Sequence, residues 1–376
     1  MGRLSFRLAC ALTTAALALL VAQAGPAQAG AAEGAGWLTR QLGSKGYIET
    51  AGGAPDGPTT AHAVLALYSA GRGPEAKSAV SWLRQHTDDV ANAGGTDNPA
   101  SLAVLAMALR AAGEDVGGLV TRLLKTQIAS GRDAGLFGGA DPTFDGASRQ
   151  GLSLLALASV GLTNAPATAW LLRQQCADGS WQPYRADLTT PCGRPDPGHG
   201  TGSDTNSTAL AYQGLKVNAA TPNHDPLAWL AANETPDAGW SFYGGASAPA
   251  DTSSTALVTQ AVIASGGGPA AVNASPWARN GATPLSTLAR FQLPSGAYTA
   301  PGGSQPSTLA TVQAVPAAAS KIFPLPPAAT PLVDDSGGSS TVWIVLIVVV
   351  VLVAGAAGTA LVIRNRRVKA GPLTAA

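Results

Sequence analysis

The sequence predicts an all-α chain: an α/α toroid of about six helical hairpins, plus a single C-terminal transmembrane helix. Three observations carry this expectation. A helix–loop–helix unit recurs from residue 30 to about 315, with a period of about 40 to 60 residues, as in helical-hairpin repeats. The second helix of each unit is apolar nearly all round, while the first has one polar face, so one layer is buried and the other half wet. Residues 342–363 are apolar without a charge, long enough to cross about 30 Å of hydrocarbon.

Composition sets the bounds. The chain has 376 residues, 46% hydrophobic and 12% charged, with a net charge of +1. Nothing in that balance points to nucleic acid. Gly 45 and Pro 27 sit among periodic apolar runs, which reads as helices joined by long loops rather than as disorder.

The elements follow in chain order. Residues 1–29 read as a signal peptide. Arg3 and Arg7 form a basic start, residues 8–22 are apolar but short, and Ala27-Gln28-Ala29 fits the small-x-small cleavage rule. An uncleaved anchor is the other reading of this stretch. Residues 30–315 form the extracellular repeat domain. Its outer helices cover residues 36–41, 80–85, 120–127, 170–175, 227–230 and 285–292, where Arg or Lys alternates with Leu or Trp.

Its inner helices follow Asp56, Asp97, Asp145, Asp204, Asp251 and Ser304. Each of these stands four residues before Thr60, Ser101, Arg149, Thr208, Thr255 or Thr308. Asp and Ser are good N-caps, and most of the inner helices stop at Gly. A solenoid needs polar end repeats. None is evident, so a closed ring is expected.

The remaining elements place the ring. Residues 316–341 form a tether, stiffened by Pro316, Pro324, Pro326, Pro327 and Pro331 and loosened by a Gly/Ser run. Residues 342–363 are the span, with Trp343 at its outer edge. Residues 364–376 are a tail with Arg364, Arg366, Arg367 and Lys369. The positive-inside rule puts that tail in the cytoplasm and the repeats outside, on a single-pass protein of the cell membrane. Cys10 belongs to the leader. Cys176 and Cys192 remain, an even count in an oxidising compartment, and a disulfide between them is expected. Its loop of roughly 15 residues contributes up to about 3 kcal/mol.

A recurring loop motif carries a family resemblance. Gln175-x-x-x-Gly179-x-Trp181 resembles the QW motif of the prenyltransferase and squalene cyclase repeat. Gln292-x-x-x-Gly296-x-Tyr298 matches it with Tyr for Trp. Asp237-Ala-Gly239-Trp240 and Gly135-Leu-Phe137-Gly138-Gly139 are degenerate copies. The resemblance covers the whole repeat domain and implies the α/α toroid of the terpenoid cyclase and protein prenyltransferase superfamily. The motif reads physically as a brace between repeats: Gly turns the chain, the aromatic packs back, and Gln bonds free backbone groups. The Asp-Thr-x-x-Thr-Ala pattern of the inner helices is similar to the non-catalytic, secreted vitamin B12-carrier branch. This chain departs from that branch by lacking its second, β-rich domain.

The chemistry of the catalytic branches is missing. No Asp-x-Asp-Asp acid of the cyclases and no Cys-Gly-Glu-Gln of the thioester domains is present. Asp88-Asp89 fits no metal motif, and two cysteines are too few for a zinc site. Serines lack a Gly-x-Ser-x-Gly elbow. His62, His86, His199 and His224 are scattered; His62, at the start of an inner helix, could face the cavity, but a capping or satisfied histidine is the expected reading. No cofactor and no metal is implied.

What remains is the mouth of the ring, where parallel inner helices bring their N-termini together. The expected ligand-binding residues are Asp56, Asp97, Asp145, Asp204 and Asp251, with Tyr184, Trp240, Tyr243 and Tyr298 from the adjoining loops. Tyr47, Phe144 and Phe242 sit in the same loops, and residues 182–203, pinned by Cys192, are expected to form a lid. The reading leans away from an enzyme. It is a tethered extracellular toroid that binds a small polar or amphipathic ligand, such as a vitamin or cofactor for uptake, beside a membrane transporter. Two other readings stand. One is an exported enzyme of the cyclase or lyase type with Asp204 or Asp251 as general acid. The other is a cell-surface protein-interaction adaptor.

Overall fold

A computed structural model describes residues 26–329, apart from 94, 144, 195, 197–201 and 246–247. The expected transmembrane segment and basic tail lie outside the described residues, as do most of the leader, Phe144 and His199. Among the described residues, no helix is long and apolar enough to cross a membrane. All of them belong to one unit, residues 1–333.

Helices begin where a short polar side chain meets the free N–H groups of a first turn. Asp56 Oδ1 accepts from Thr59 N at 3.0 Å ahead of α2 (Gly57–Ser69), which follows α1 (Pro26–Leu42). The next hairpin joins α3 (Lys77–Gln85), through short α4 (Thr87–Ala91), to α5 (Pro99–Ala111). The third pairs α6 (Gly117–Lys125) with α7 (Ala147–Ala158), and the fourth α8 (Ala165–Arg173) with α9 (Thr205–Val217). The fifth pairs α10 (Pro226–Ala232) with α11 (Thr252–Val262), which runs through a π turn (Ile263–Gly267) into α12 (Gly268–Ala271). The sixth pairs α13 (Pro284–Arg290) with α14 (Thr308–Ala318). Proline occupies the first turn of α5, α8, α10 and α13, where its missing N–H has no helical partner to lose.

The inner helices form a closed cycle. Each of α2, α5, α7, α9, α11 and α14 packs on the next, and α14 packs back on α2 and α1. Residues 102–109 of α5 are all buried, as an apolar-all-round helix requires. Close packing rests on small residues. A Cβ on Gly151 of α7 would stand 2.2 Å from Leu210 O of α9, and one on Gly214 2.8 Å from the Gly151 Cα. A larger residue at either site forces the two helices apart. Trp229, Leu230, Trp240, Val258 and Trp277 gather in a separate cluster under the fifth hairpin. Three two-residue strand pairs close the loops before α2, α5 and α14: β1 (Ile48–Glu49) with β2 (Pro55–Asp56), β3 (Asn92–Ala93) with β4 (Thr96–Asp97), and β5 (Tyr298–Thr299) with β6 (Pro306–Ser307).

Three expected caps move along the chain. The cap of α5 is Asn98, not Asp97, because Asn98 precedes the proline that fixes the first turn. The cap position of α7 is Gly146, not Asp145. The cap of α14 is Ser307, not Ser304, because β6, which pairs with β5, occupies Pro306–Ser307 directly before the helix. Pro316, expected to open the tether, lies buried inside α14. The chain beyond it stays on the ring: Gln260 Nε2 donates to Lys321 O at 3.0 Å, and Ala328 N to Ala111 O at 3.0 Å.

Candidate functional site at the ring mouth

The loop motif is a brace, repeated with the same bonds. Gln175 Nε2 donates to Gly179 O at 3.0 Å, Gln292 Nε2 to Gly296 O at 2.9 Å, and Gln127 Nε2 to Gly135 O at 3.0 Å. Each amide also holds the start of the following outer helix. Gln175 donates to His224 O and accepts from His224 N, Gln127 exchanges bonds with Asn164, and Gln292 donates to Gly30 O at 2.7 Å. Gly135, Gly179 and Gly296 take φ of 98, 94 and 91°, which favours glycine. A Cβ on Gly179 would lie 2.3 Å from Asp225 O.

The residue ending the motif docks on the inner helix. Trp181 N donates to Thr208 Oγ1 at 3.0 Å, Trp240 N to Thr255 Oγ1 at 3.1 Å, and Tyr298 N to Thr311 Oγ1 at 2.8 Å. Trp181 Nε1 and Trp240 Nε1 each donate back to the outer helix, to Leu171 O and Leu230 O at 2.8 Å. These contacts fix where Asp204 and Asp251 stand, since Asp204 N donates to Trp181 O and Asp251 N to Trp240 O.

Asp204 and Asp251 cap the neighbouring helices α9 and α11. Asp251 is satisfied: Ser254 N and Ser254 Oγ donate to its two oxygens, each at 2.8 Å. Asp204 is fully buried. Its Oδ1 accepts from Ser207 N at 2.6 Å, while its Oδ2 has no geometric hydrogen-bond partner among the described residues. Burial pushes the Asp204 carboxyl up to about 6, against hydrogen bonds from Ser207 and Asn206. Burial likewise raises Asp251.

Residues 241–243 lie between the two caps. Thr205 N donates to Phe242 O at 2.9 Å and Thr205 Oγ1 to Ser241 O at 3.0 Å, and the Phe242 backbone N–H interacts with the Asp251 carboxylate. Phe242 stands edge-on to Tyr243 at 4.7 Å and is, with Leu309 at the start of α14, one of two exposed large hydrophobic residues among the described residues. The Tyr243 phenol is held up by burial and by the charges of Asp204 and Asp196.

The other expected residues separate. Asp56 is a plain cap. Asp97 is paired with Arg122, which donates to both its oxygens, and this pairing lowers its pKa. Asp145 accepts from Gly139 N and Asp141 N at 2.8 and 3.0 Å. Asp97 and Asp145 do share one open depression of about 460 Å³ with Arg149 and Thr126. Trp240 and Tyr298 are buried, so they belong to the wall of the ring and not to its mouth. Tyr184 is also buried and donates to Asp133 Oδ1 at 3.0 Å, beside Trp170 and Arg132. His62 Nδ1 meets Pro58 O and His86 Nδ1 meets Trp82 O, one helical turn back in each case.

Cys176 and Cys192 form a disulfide. It joins the brace to the loop that ends at Asp204. Ser203, next to Asp204, shares a 2.6 Å hydrogen bond with Ser180 of the motif. The start of the loop is strapped down as well: Arg185 N donates to Gln174 Oε1 at 2.7 Å, and Arg132 Nη1 to Ala186 O at 2.6 Å.

One buried pair escaped the sequence reading. Glu234 occupies the Gln position of the fifth brace, since Thr235 N donates to Gly239 O as Cys176 N does to Ser180 O. Glu234 is fully buried, and Arg279 Nε lies 2.5 Å from its Oε2, outside hydrogen-bond alignment. Burial raises its pKa to about 7, opposed by the Arg279 charge. The signal was present as an acidic residue in the brace register, hidden by Ala238 standing where the other copies have Gly.

No family model matches the chain, and no curated protein matches its sequence. Solved structures do. A protein from Actinoplanes is similar with a TM-score of 0.51 and 18% identity, covering 78% of this chain and 98% of that one. The type II terpene cyclase MstE from Scytonema is similar with a TM-score of 0.53 and 13% identity, covering 78% of this chain and 97% of that one. A variant of that enzyme, solved with its substrate geranylgeranyl dihydroxybenzoate, gives 0.52 at 13% identity over 78% and 97% of the two chains. These likenesses show the fold: the ring is a terpenoid cyclase-like α/α toroid.

Proposed function

We propose that the mouth between α9 and α11 binds a small polar or amphipathic ligand, and that the chain presents this ring outside the cell on a C-terminal membrane anchor. The observation that carries the binding site is the buried Oδ2 of Asp204, without a geometric hydrogen-bond partner among the described residues, one residue from the Thr205 that holds the exposed Phe242. Such an oxygen loses about 1–3 kcal/mol relative to a bonded one, and a ligand donor restores that. The Cys176–Cys192 disulfide supports an oxidising compartment. The basic residues after position 363 support a cytoplasmic tail. In this reading the ring acts as the carrier-like toroids do, without catalysis, and passes its ligand to a membrane transporter.

The test is native mass spectrometry of the full chain extracted in mild detergent. A ligand should copurify with the wild type and be lost from Asp204→Asn. An unliganded wild type overturns the reading.

One observation favours a second reading. A carboxyl raised to about 6 by burial keeps a proton available in mildly acidic surroundings, so Asp204 suits a general acid of the cyclase or lyase type. Turnover on a panel of polyprenyl and glycan substrates, abolished by Asp204→Asn, would establish it. A folded wild type inactive on the whole panel would sink it.

A further inference from the structure

The chain does not leave the ring at the end of its last helix. α14 stops at Ala318, and the residues after it run back over the other inner helices. Gln260 Nε2 donates to Lys321 O at 3.0 Å, and Ala328 N donates to Ala111 O at 3.0 Å. Gln260 lies in the last turn of α11, and Ala111 ends α5. In the cycle α2, α5, α7, α9, α11, α14, those two helices stand three places apart by either route, so they face each other across the ring. Residues 319–329 therefore form a strap over the C-terminal ends of the inner helices, away from the caps Asn98 and Asp251. The length fits. Six helices at 8–10 Å spacing put opposite axes roughly 16–20 Å apart, and the stretch from Lys321 to Ala328 covers about 22 Å when extended like polyproline.

Side chains hold the strap more than its backbone does. Pro324, Pro326 and Pro327 have no N–H to donate. Leu325 is buried in the main core and Phe323 packs against that core, while Ile322 packs against the separate cluster under the fifth hairpin. Three neighbouring apolar side chains thus bridge two clusters. Lys321, Pro326, Pro327 and Ala329 are exposed. A segment with few buried side chains and few backbone bonds sits at the low end of local stability. It can lift off while the helices beneath keep their own hydrogen bonds.

We propose that residues 319–329 are a latch. Docked, the latch ties α5 to α11 across the base of the ring. Released, it lets the last turns of both helices loosen while the ring stays folded. The chain continues from Ala329, so a pull on its later residues acts first on the Ala328–Ala111 bond and then on Leu325.

Hydrogen exchange of the full chain in mild detergent tests this. In the wild type, amides of residues 320–329 are expected to exchange at least about a hundredfold faster than those of residues 102–109 in α5, because the latch opens without the ring. Leu325→Ala should speed the strap by about a further tenfold and also speed the last turns of α5 and α11. Their first turns and the helical circular dichroism should not change. A wild-type strap that exchanges no faster than α5 overturns the latch, since it then opens only with the whole molecule. Last turns unmoved by Leu325→Ala overturn it too, since the strap is then a passive tail. Acceleration along the full length of both helices, or loss of helical signal, makes the strap an inseparable part of the core and overturns it as well.

Discussion

Asp204 uses its two oxygens unequally. Oδ1 caps α9 through Ser207 N, and Oδ2 is buried without a geometric hydrogen-bond partner among the described residues. Its folded carboxyl lies at about 6, above its ordinary 3.8, so the folded state holds the proton more firmly than the unfolded chain. Its contribution to stability is therefore full below about pH 4 and is lost as pH rises toward 6. Asp204→Asn is expected to remove that loss and to stabilise the ligand-free chain at pH 7.5 by about 1–3 kcal/mol. Urea melts between pH 4 and 8 check this; a variant less stable than the wild type at pH 7.5 would be the contrary result. The sequence alone marked Asp204 as a cap, because Asp before an apolar run is a local signal. It did not show that Oδ2 is orphaned. That depends on Trp181, Thr205 and residues 241–243, which the fold brings together from distant stretches.

At the scale of elements, the brace explains why the motif recurs. One amide links a motif glycine to the outer helix that follows, so each hairpin docks on its successor. The copies at Gln175 and Gln292 were legible because Gly follows Gln at a spacing of four in both. The copy at Gln127 was legible only at its Gly135-Leu-Phe137 end, since its Gln–Gly spacing is eight. The fifth copy carries Glu234, whose folded pKa of about 7 lies above the ordinary 4.5. Stability from this group is present below about pH 4.5 and lost as pH rises through 7. Glu234→Gln supplies the amide used at the other braces and should stabilise the protein at pH 8 by about 1–3 kcal/mol, with little change at pH 4.5. Arg279, partly exposed, can turn to water in that variant. Thermal melts at the two pH values test it, and equal effects at both would contradict the titration of Glu234. Where the caps moved, the cause was equally local: proline after Asn98 and the strand pair before Ser307 set those helix starts, and a repeat alignment does not register either.

The whole molecule is a ring because its last hairpin fits its first. The layer order was legible, since inner and outer helices differ in amphipathicity. Closure was inferred from the lack of polar end repeats, and the contacts that achieve it join the last motif copy to residues of α1 that carry no periodic signal. Gln292 Nε2 donates to Gly30 O, Arg40 Nη2 donates to Ser295 O, and Val315 and Tyr298 lie where a Cβ on Gly34 would fall. Gln292→Ala removes both amide bonds of that junction and should cost about 1–2 kcal/mol. The loss should appear as faster hydrogen exchange in α1 and α13 than in α7 and α9; a uniform change around the ring would count against a localised junction.

The Gln292–Gly30 bond joins residues 262 positions apart, whereas the brace at Gln175 spans only 49 to His224. Closing a long loop costs chain entropy before any contact repays it, and contacts between distant residues slow folding. The hairpins can assemble in succession as an open arc, each resting on its neighbour. The joint between α1 and the last hairpin is then the final one to form. Until it does, the apolar flanks of α14 and α2 face water, and α14 begins only after most of the ring has been synthesised. The step most exposed to aggregation is thus the last, and it falls two helices away from Asp204 in the cycle of inner helices.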